Sequence, residues 1–147
     1  RRMKARVETE RMPRGADKTR QHKLGRGGLT DVEWLVQLLQ LQHAHRVEDM
    51  RTTSTLKALE AAVQAGLVDE RDATLLSSAW KLASKIRGLN VLRTGRASDT
   101  LTTTRSDLEA IARWCGYAPN SARVLEDDYL RITRQARAVY EKLFYPA

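Results

Sequence analysis

The 147-residue chain has little of what staples or punctuates a fold. Its single cysteine, Cys115, cannot form an internal disulfide, and a chain this long needs none, because roughly 70% of its unfolded surface is buried on folding. Three prolines and 5% aromatic residues argue against a sandwich or barrel with turns at short intervals. No run approaches the roughly 20 apolar residues of a membrane span, and no charged-then-apolar leader ends in a small-residue cleavage site. The expected location is therefore cytoplasmic. What is abundant is Leu, Ala, Arg and Glu, the strong helix formers, and the expected class is all-α.

The formal charge of +8 is unevenly placed: residues 1–29 carry ten Lys or Arg against three Asp or Glu, and residues 30–147 carry sixteen against fifteen. A basic segment of this kind attracts phosphate on nucleotide, nucleic acid or lipid alike, so its sign does not choose the partner. A solvated charged face is the simpler reading of the same residues. The chain opens at Arg1 inside a stretch that already reads as helical, which predicts a piece of a longer protein.

Residues 2–11 fit a short charged helix that ends before Pro13, and residues 12–29 read as a long loop, functional or disordered. From Thr30 the pattern becomes strongly apolar: Val32, Leu35, Val36 and Leu39 share one face, widened by Trp34, Leu38 and Leu41. Thr30 and Glu33 have capping-box spacing, as do Ser106 and Glu109 farther on. Further helices are expected over residues 54–65, closed by Gly66, over residues 69–94, from Ser106 to Gly116, and from Pro119 to the end. Residues 95–104 are loop by composition. This gives five or six mostly antiparallel amphipathic helices in a bundle, with residues 1–29 as a leading helix and Gly-rich loop and residues 30–147 as the bundle domain.

The segment most capable of chemistry is KLGRGGLTDVE, residues 23–33. Gly25, Gly27 and Gly28 permit close backbone approach, the helix start presents amides, and Lys23 and Arg26 add positive charge, so the segment suits a phosphate-bearing ligand. Asp31 and Glu33 offer hard oxygens of the kind magnesium takes, and Asp31 is the candidate metal ligand. A Gly-Gly turn with acids in the first helical turn is equally an ordinary helix start. The spacing matches neither a P-loop nor GxGxxG. His43 and His45 lie about 200° apart around a helix and cannot share a metal. His22 stands alone in the basic loop. Cys115, Trp80 and Trp114 read as packing residues, and Trp34, near the Gly-rich turn, reads either as a core anchor or as a platform for a stacked base.

KLGRGGLTDVEWLVQLLQLQHA resembles the segment that follows the nucleotidyltransferase domain in the bacterial glutamine synthetase adenylyltransferase family, and its Gly-Gly-x-x-Asp-x-Glu core is shared with the related uridylyltransferase of the PII signal protein. RTTSTLKALEAAVQAGLVDERDATLLSSAWKLASKIR resembles the next two helices of that family, and EDDYLRITRQARAVYEKLFY the chain terminus of actinobacterial members. The resemblance implies a two-part enzyme that uses ATP and Mg2+ to attach AMP to a tyrosine of glutamine synthetase, removes it by phosphorolysis in its other half, and answers to a PII-type protein. The ending LFYPA points to the AMP-attaching half. Lys23, Gly25, Gly27, Gly28, Asp31 and Glu33 match the motif. The catalytic Gly-Ser turn and Asp-x-Asp pair of the family are absent, which predicts a helical domain inactive alone, its Lys23-to-Glu33 segment facing an upstream cleft. On this reading Lys23 and Arg26 stabilise phosphate charge, Asp31 holds Lys23, Arg26 or a metal-bound water, and Glu33 caps the helix. Two other readings stay open: a regulatory docking domain for a PII-type protein, and a basic nucleic-acid-binding module, the latter disfavoured because no helix combines Lys or Arg with exposed base-reading side chains.

Overall fold

The computed structural model describes residues 1–146. It contains six α-helices: α1 Arg2–Glu10, α2 Leu29–His43, α3 Thr55–Gln64, α4 Glu70–Thr94, α5 Arg105–Trp114 and α6 Ala122–Phe144, with a single 3-10 turn at Glu48–Met50. The described residues form no strand; their one β feature is an isolated antiparallel bridge between Gln21 and Thr100. Fold class and helix order agree with the periodicity.

The helices end where the backbone demands it. Gly66, Gly95 and Gly116 take positive φ of 69°, 67° and 88° just past α3, α4 and α5, the left-handed geometry that stops a helix most easily at glycine. After α3 the amides of Gly66 and Leu67 turn back to the carbonyls of Val63 and Ala62. Helix starts differ from expectation. Ser54 caps α3, its hydroxyl accepting from the Lys57 amide, but neither capping box forms. The cap of α2 is Gly28 and that of α5 is Thr104, neither with a side-chain bond. The two glutamates have other partners: Glu33 accepts from the Trp80 indole at 3.3 Å, and Glu109 accepts from the amides of Asn120 and Ala122.

The core has two parts. One gathers Val32, Leu35 and Val36 of α2, Met50, Leu59 of α3, Leu76 of α4, and Tyr140 and Phe144 of α6. The other gathers Leu29, Ile86 of α4, Leu101, Leu108 and Ile111 of α5, and Leu125 and Tyr129 of α6. The two long helices α4 and α6 pack on each other and run through both parts, and Trp80 touches both. The Gly-rich turn lies at their junction, since Leu29 belongs to one and Val32 to the other.

Three residues depart from their expected places. Leu41 is 85% exposed and lies outside the apolar face of α2, and Trp114 is 48% exposed rather than a core anchor. His22 is fully buried, its Nδ1 3.0 Å from the Tyr129 hydroxyl and its ring edge-on to that of Tyr129. The segment of residues 12–28 is held from both sides: the His22 amide donates to the Asp99 carbonyl, the Leu101 amide to the Arg20 carbonyl, and Arg20 bridges to the carbonyl of Thr102 and to Glu126.

Candidate functional site

The turn preceding α2 is folded tightly on itself. The amides of Gly25, Arg26, Gly28, Leu29 and Thr30 donate to the carbonyls of Gln21, Lys18, Gly25, His22 and Lys23, and the Thr30 hydroxyl also donates to Lys23 at 2.7 Å. The Gly27 amide donates to Asp31 Oδ2 at 2.7 Å. Every amide from Gly25 to Thr30 thus has a partner inside the protein. Glycine is required here for packing: a Cβ on Gly27, where φ is +70°, would lie 1.8 Å from the Thr133 carbonyl oxygen of α6, and one on Gly25 would lie 2.2 Å from the Gln21 oxygen. The backbone of the turn abuts α6.

Asp31 is 1% exposed and sits at the centre of a charge network. Its Oδ1 lies 2.8 Å from Lys4 Nζ, an ion contact rather than an aligned hydrogen bond, and its Oδ2 lies 3.0 Å from Arg137 Nη1. Lys4, itself fully buried, also meets Glu8 at 3.1 Å and the Thr30 hydroxyl at 3.3 Å. Arg137 meets Glu8 at 3.1 Å and Glu141 at 2.7 Å, and its guanidinium lies 5.0 Å from the centre of the Tyr140 ring. The network joins α1, α2 and α6. Burial works against the Arg137 charge, but Asp31, Glu141 and Glu8 overcome it and hold the guanidinium's pKa above its ordinary value. Burial works likewise to raise Glu8, and Lys4 and Arg137 hold it below the usual carboxylate value instead. The partners expected for Asp31 were Lys23, Arg26 or a metal-bound water. Lys4 and Arg137 take that place, because α1 folds back against the start of α2.

The site residues fall into three groups. Gly25, Gly27, Gly28 and Asp31 are buried in the turn and its network; Glu33 is half-buried against Trp80; Lys23 and Arg26 are exposed. Asp31 does not fit a magnesium ion, since its two oxygens are already matched by an ammonium, a guanidinium and an amide. Among the described residues no three His, Cys, Asp or Glu side chains come together as a metal site. Sequence reasoning missed Lys4 and Arg137 because nothing in their local spacing ties them to residue 31, which lies 27 and 106 positions away.

The family model described as GlnD PII-uridylyltransferase matches residues 1–144, so the match takes in α1, the turn and the bundle alike. The chain belongs to that family. Among curated proteins it is 53% identical over 147 residues to the bifunctional glutamine synthetase adenylyltransferase/adenylyl-removing enzyme of Streptomyces avermitilis, covering 100% of this chain and 15% of that protein. It is 50% identical over 144 residues to the protein of the same description from Leifsonia xyli subsp. xyli and 49% identical over 144 residues to that of Mycobacterium marinum, in each case covering 98% of this chain and 14% of the relative. The chain therefore spans about one-seventh of the length of these relatives. The resemblance to glutamine synthetase adenylyltransferases, actinobacterial ones included, holds over the whole chain. Among the described residues no helix is long and apolar enough to cross a membrane.

Proposed function

We propose that the chain is the C-terminal helical domain of a cytoplasmic enzyme that transfers AMP from ATP to a tyrosine of glutamine synthetase, and that its role is to complete the cleft of an upstream nucleotidyltransferase domain. The observation that carries this reading is 53% identity along the entire chain to a relative described as a glutamine synthetase adenylyltransferase. The geometry supports a division of labour within the motif. The buried residues Gly25, Gly27, Gly28 and Asp31 fix the backbone, and Lys23 and Arg26 stand exposed on the fixed turn as the groups able to meet phosphate. In this reading ATP and Mg2+ bind mainly to the upstream domain. Magnesium supplies charge neutralisation there, and Lys23 and Arg26 add fixed positive charge at the rim without rearranging during the reaction. Glu33 steadies α2 against α4 through Trp80. The fragment alone is inactive, because it carries no Asp-x-Asp pair after a Gly-Ser turn.

The test is to express the full-length protein and follow α-labelled AMP from ATP onto purified glutamine synthetase. Transfer by the full-length protein and none by the 147-residue chain is the expected result, with Lys23→Ala lowering turnover by at least about tenfold. Unchanged turnover and ATP dependence in Lys23→Ala removes its electrostatic role. No transfer by a well-folded full-length protein removes the assignment.

A second reading, a docking domain for a PII-type protein, is favoured by the family description, which names PII as the target of the uridylyltransferase. It predicts full turnover but a lost response to the PII-type protein when exposed side chains of the bundle are changed.

A further inference from the structure

A groove of about 510 Å3 opens beside the Gly-rich turn, between the turn and α6. Three guanidiniums line it: Arg26 from the turn, and Arg134 and Arg137 from α6. Their placement is built in. Arg134 and Arg137 stand three residues apart and so share one helix face, and the contact of Gly27 with the Thr133 carbonyl presses the turn onto α6 beside them. Only one carboxylate, Glu141, lines the same groove, and it is already bound to Arg137 Nε at 2.7 Å. Among the described residues the guanidiniums of Arg26 and Arg134 have no ion-pair or hydrogen-bond partner, and Arg137 Nη2 is likewise free, its Nε and Nη1 being occupied by Glu141, Asp31 and Glu8. The groove is thus cationic through Arg26 and Arg134, whose donor forks are unfilled, and Arg137, already matched by carboxylates, adds one free nitrogen.

We propose that this groove is a binding site for a condensed phosphate, either free diphosphate or the phosphate chain of a nucleotide. Guanidinium forks match phosphate oxygens in pairs, and two open forks with a third guanidinium nitrogen around one groove suit a ligand with several phosphate oxygens and more than one negative charge rather than a single carboxylate. The volume exceeds what one orthophosphate fills. The site deepens the proposed function, resting on its assignment of Arg26 to phosphate, but it is read by binding to the chain itself, so failure of AMP transfer and failure of pyrophosphate binding are distinguishable. Arg134 is the residue it adds, since no sequence motif marks that position.

The test is calorimetric titration of the 147-residue chain with sodium pyrophosphate at fixed ionic strength, for wild type, Arg26→Ala, Arg134→Ala and Arg123→Ala, with melting temperatures recorded alongside. Arg123 lies 11 residues earlier on α6, about 16 Å along the helix, and its side chain is 91% exposed, so it controls for the loss of one charge anywhere on α6. Saturable pyrophosphate binding that weakens about tenfold in Arg26→Ala and in Arg134→Ala, and is unchanged in Arg123→Ala, is the expected result. Arg134→Lys falls between the wild type and Arg134→Ala, because the charge remains and the fork is lost. A parallel titration with ATP and adenosine names the source: ATP binding more tightly than pyrophosphate assigns a nucleotide, and equal affinities assign free diphosphate. No saturable pyrophosphate binding, or equal weakening in all three alanine variants, overturns the proposal.

Discussion

At the scale of single residues, the buried part of the motif is a packing device. Gly27 shows this most directly, because positive φ and the approach to Thr133 both exclude a side chain. Gly27→Ala is expected to lower stability by about 2–4 kcal/mol in urea denaturation, the sum of left-handed strain and overpacking. Gly66→Ala, where φ is +69° but no atom lies within 4 Å of the added Cβ, costs only about 1–2 kcal/mol. His22 gives a second handle. Burial pushes its pKa from 6.5 to about 4, opposed by the charge of Asp99 and helped by those of Arg87 and Arg20. The folded state therefore keeps the ring neutral while the unfolded chain protonates it, and stability contributed by the neutral ring is present above pH 6.5 and lost as pH falls toward 4. Urea midpoints measured between pH 7 and pH 4.5 are expected to fall in the wild type and to flatten in His22→Gln. Neither role was legible in the sequence. A lone histidine in a basic loop carries no periodic signal, and both expected capping boxes failed because Glu33 and Glu109 find partners on distant segments, Trp80 and the start of α6.

At the scale of elements, the helices themselves were legible, since each of α2 to α6 carries an apolar face at spacings of three and four or a left-handed glycine at its end. The docking of α1 was not. Its nine residues include one that is buried, Lys4, and a buried lysine is indistinguishable in sequence from the exposed charges around it. A helix this short has little stability of its own, so its ion contacts with α2 and α6 hold it in place. Lys4→Ala leaves Asp31 buried with one cation fewer and is expected to cost about 3 kcal/mol. Hydrogen exchange is expected to show amide protection lost first in α1 while α4 and α6 stay protected. Uniform loss across the chain would instead mean that α1 is part of the same cooperative unit as the two long helices.

At the scale of the whole molecule, α4 and α6 form the frame, and the turn before α2 is fixed where the two halves of the core meet. This arrangement presents Lys23 and Arg26 exposed on a tightly hydrogen-bonded turn. The all-α class and the family could be read from the residues. The reason the motif's acid faces cations rather than metal could not, because it depends on α1 and α6 converging on residue 31. Asp31 is the residue that ties these elements together. The decisive measurement compares wild type with Asp31→Asn in the full-length protein, recording the melting temperature of the helical domain and the magnesium dependence of AMP transfer in one set of preparations. Leaving Lys4 and Arg137 without their buried counter-charge is expected to cost about 3–5 kcal/mol and to lower the melting temperature by roughly 10 °C, with the magnesium requirement of the remaining transfer unchanged. An unchanged melting temperature together with abolished transfer or a raised magnesium requirement would contradict the account and make Asp31 a metal ligand.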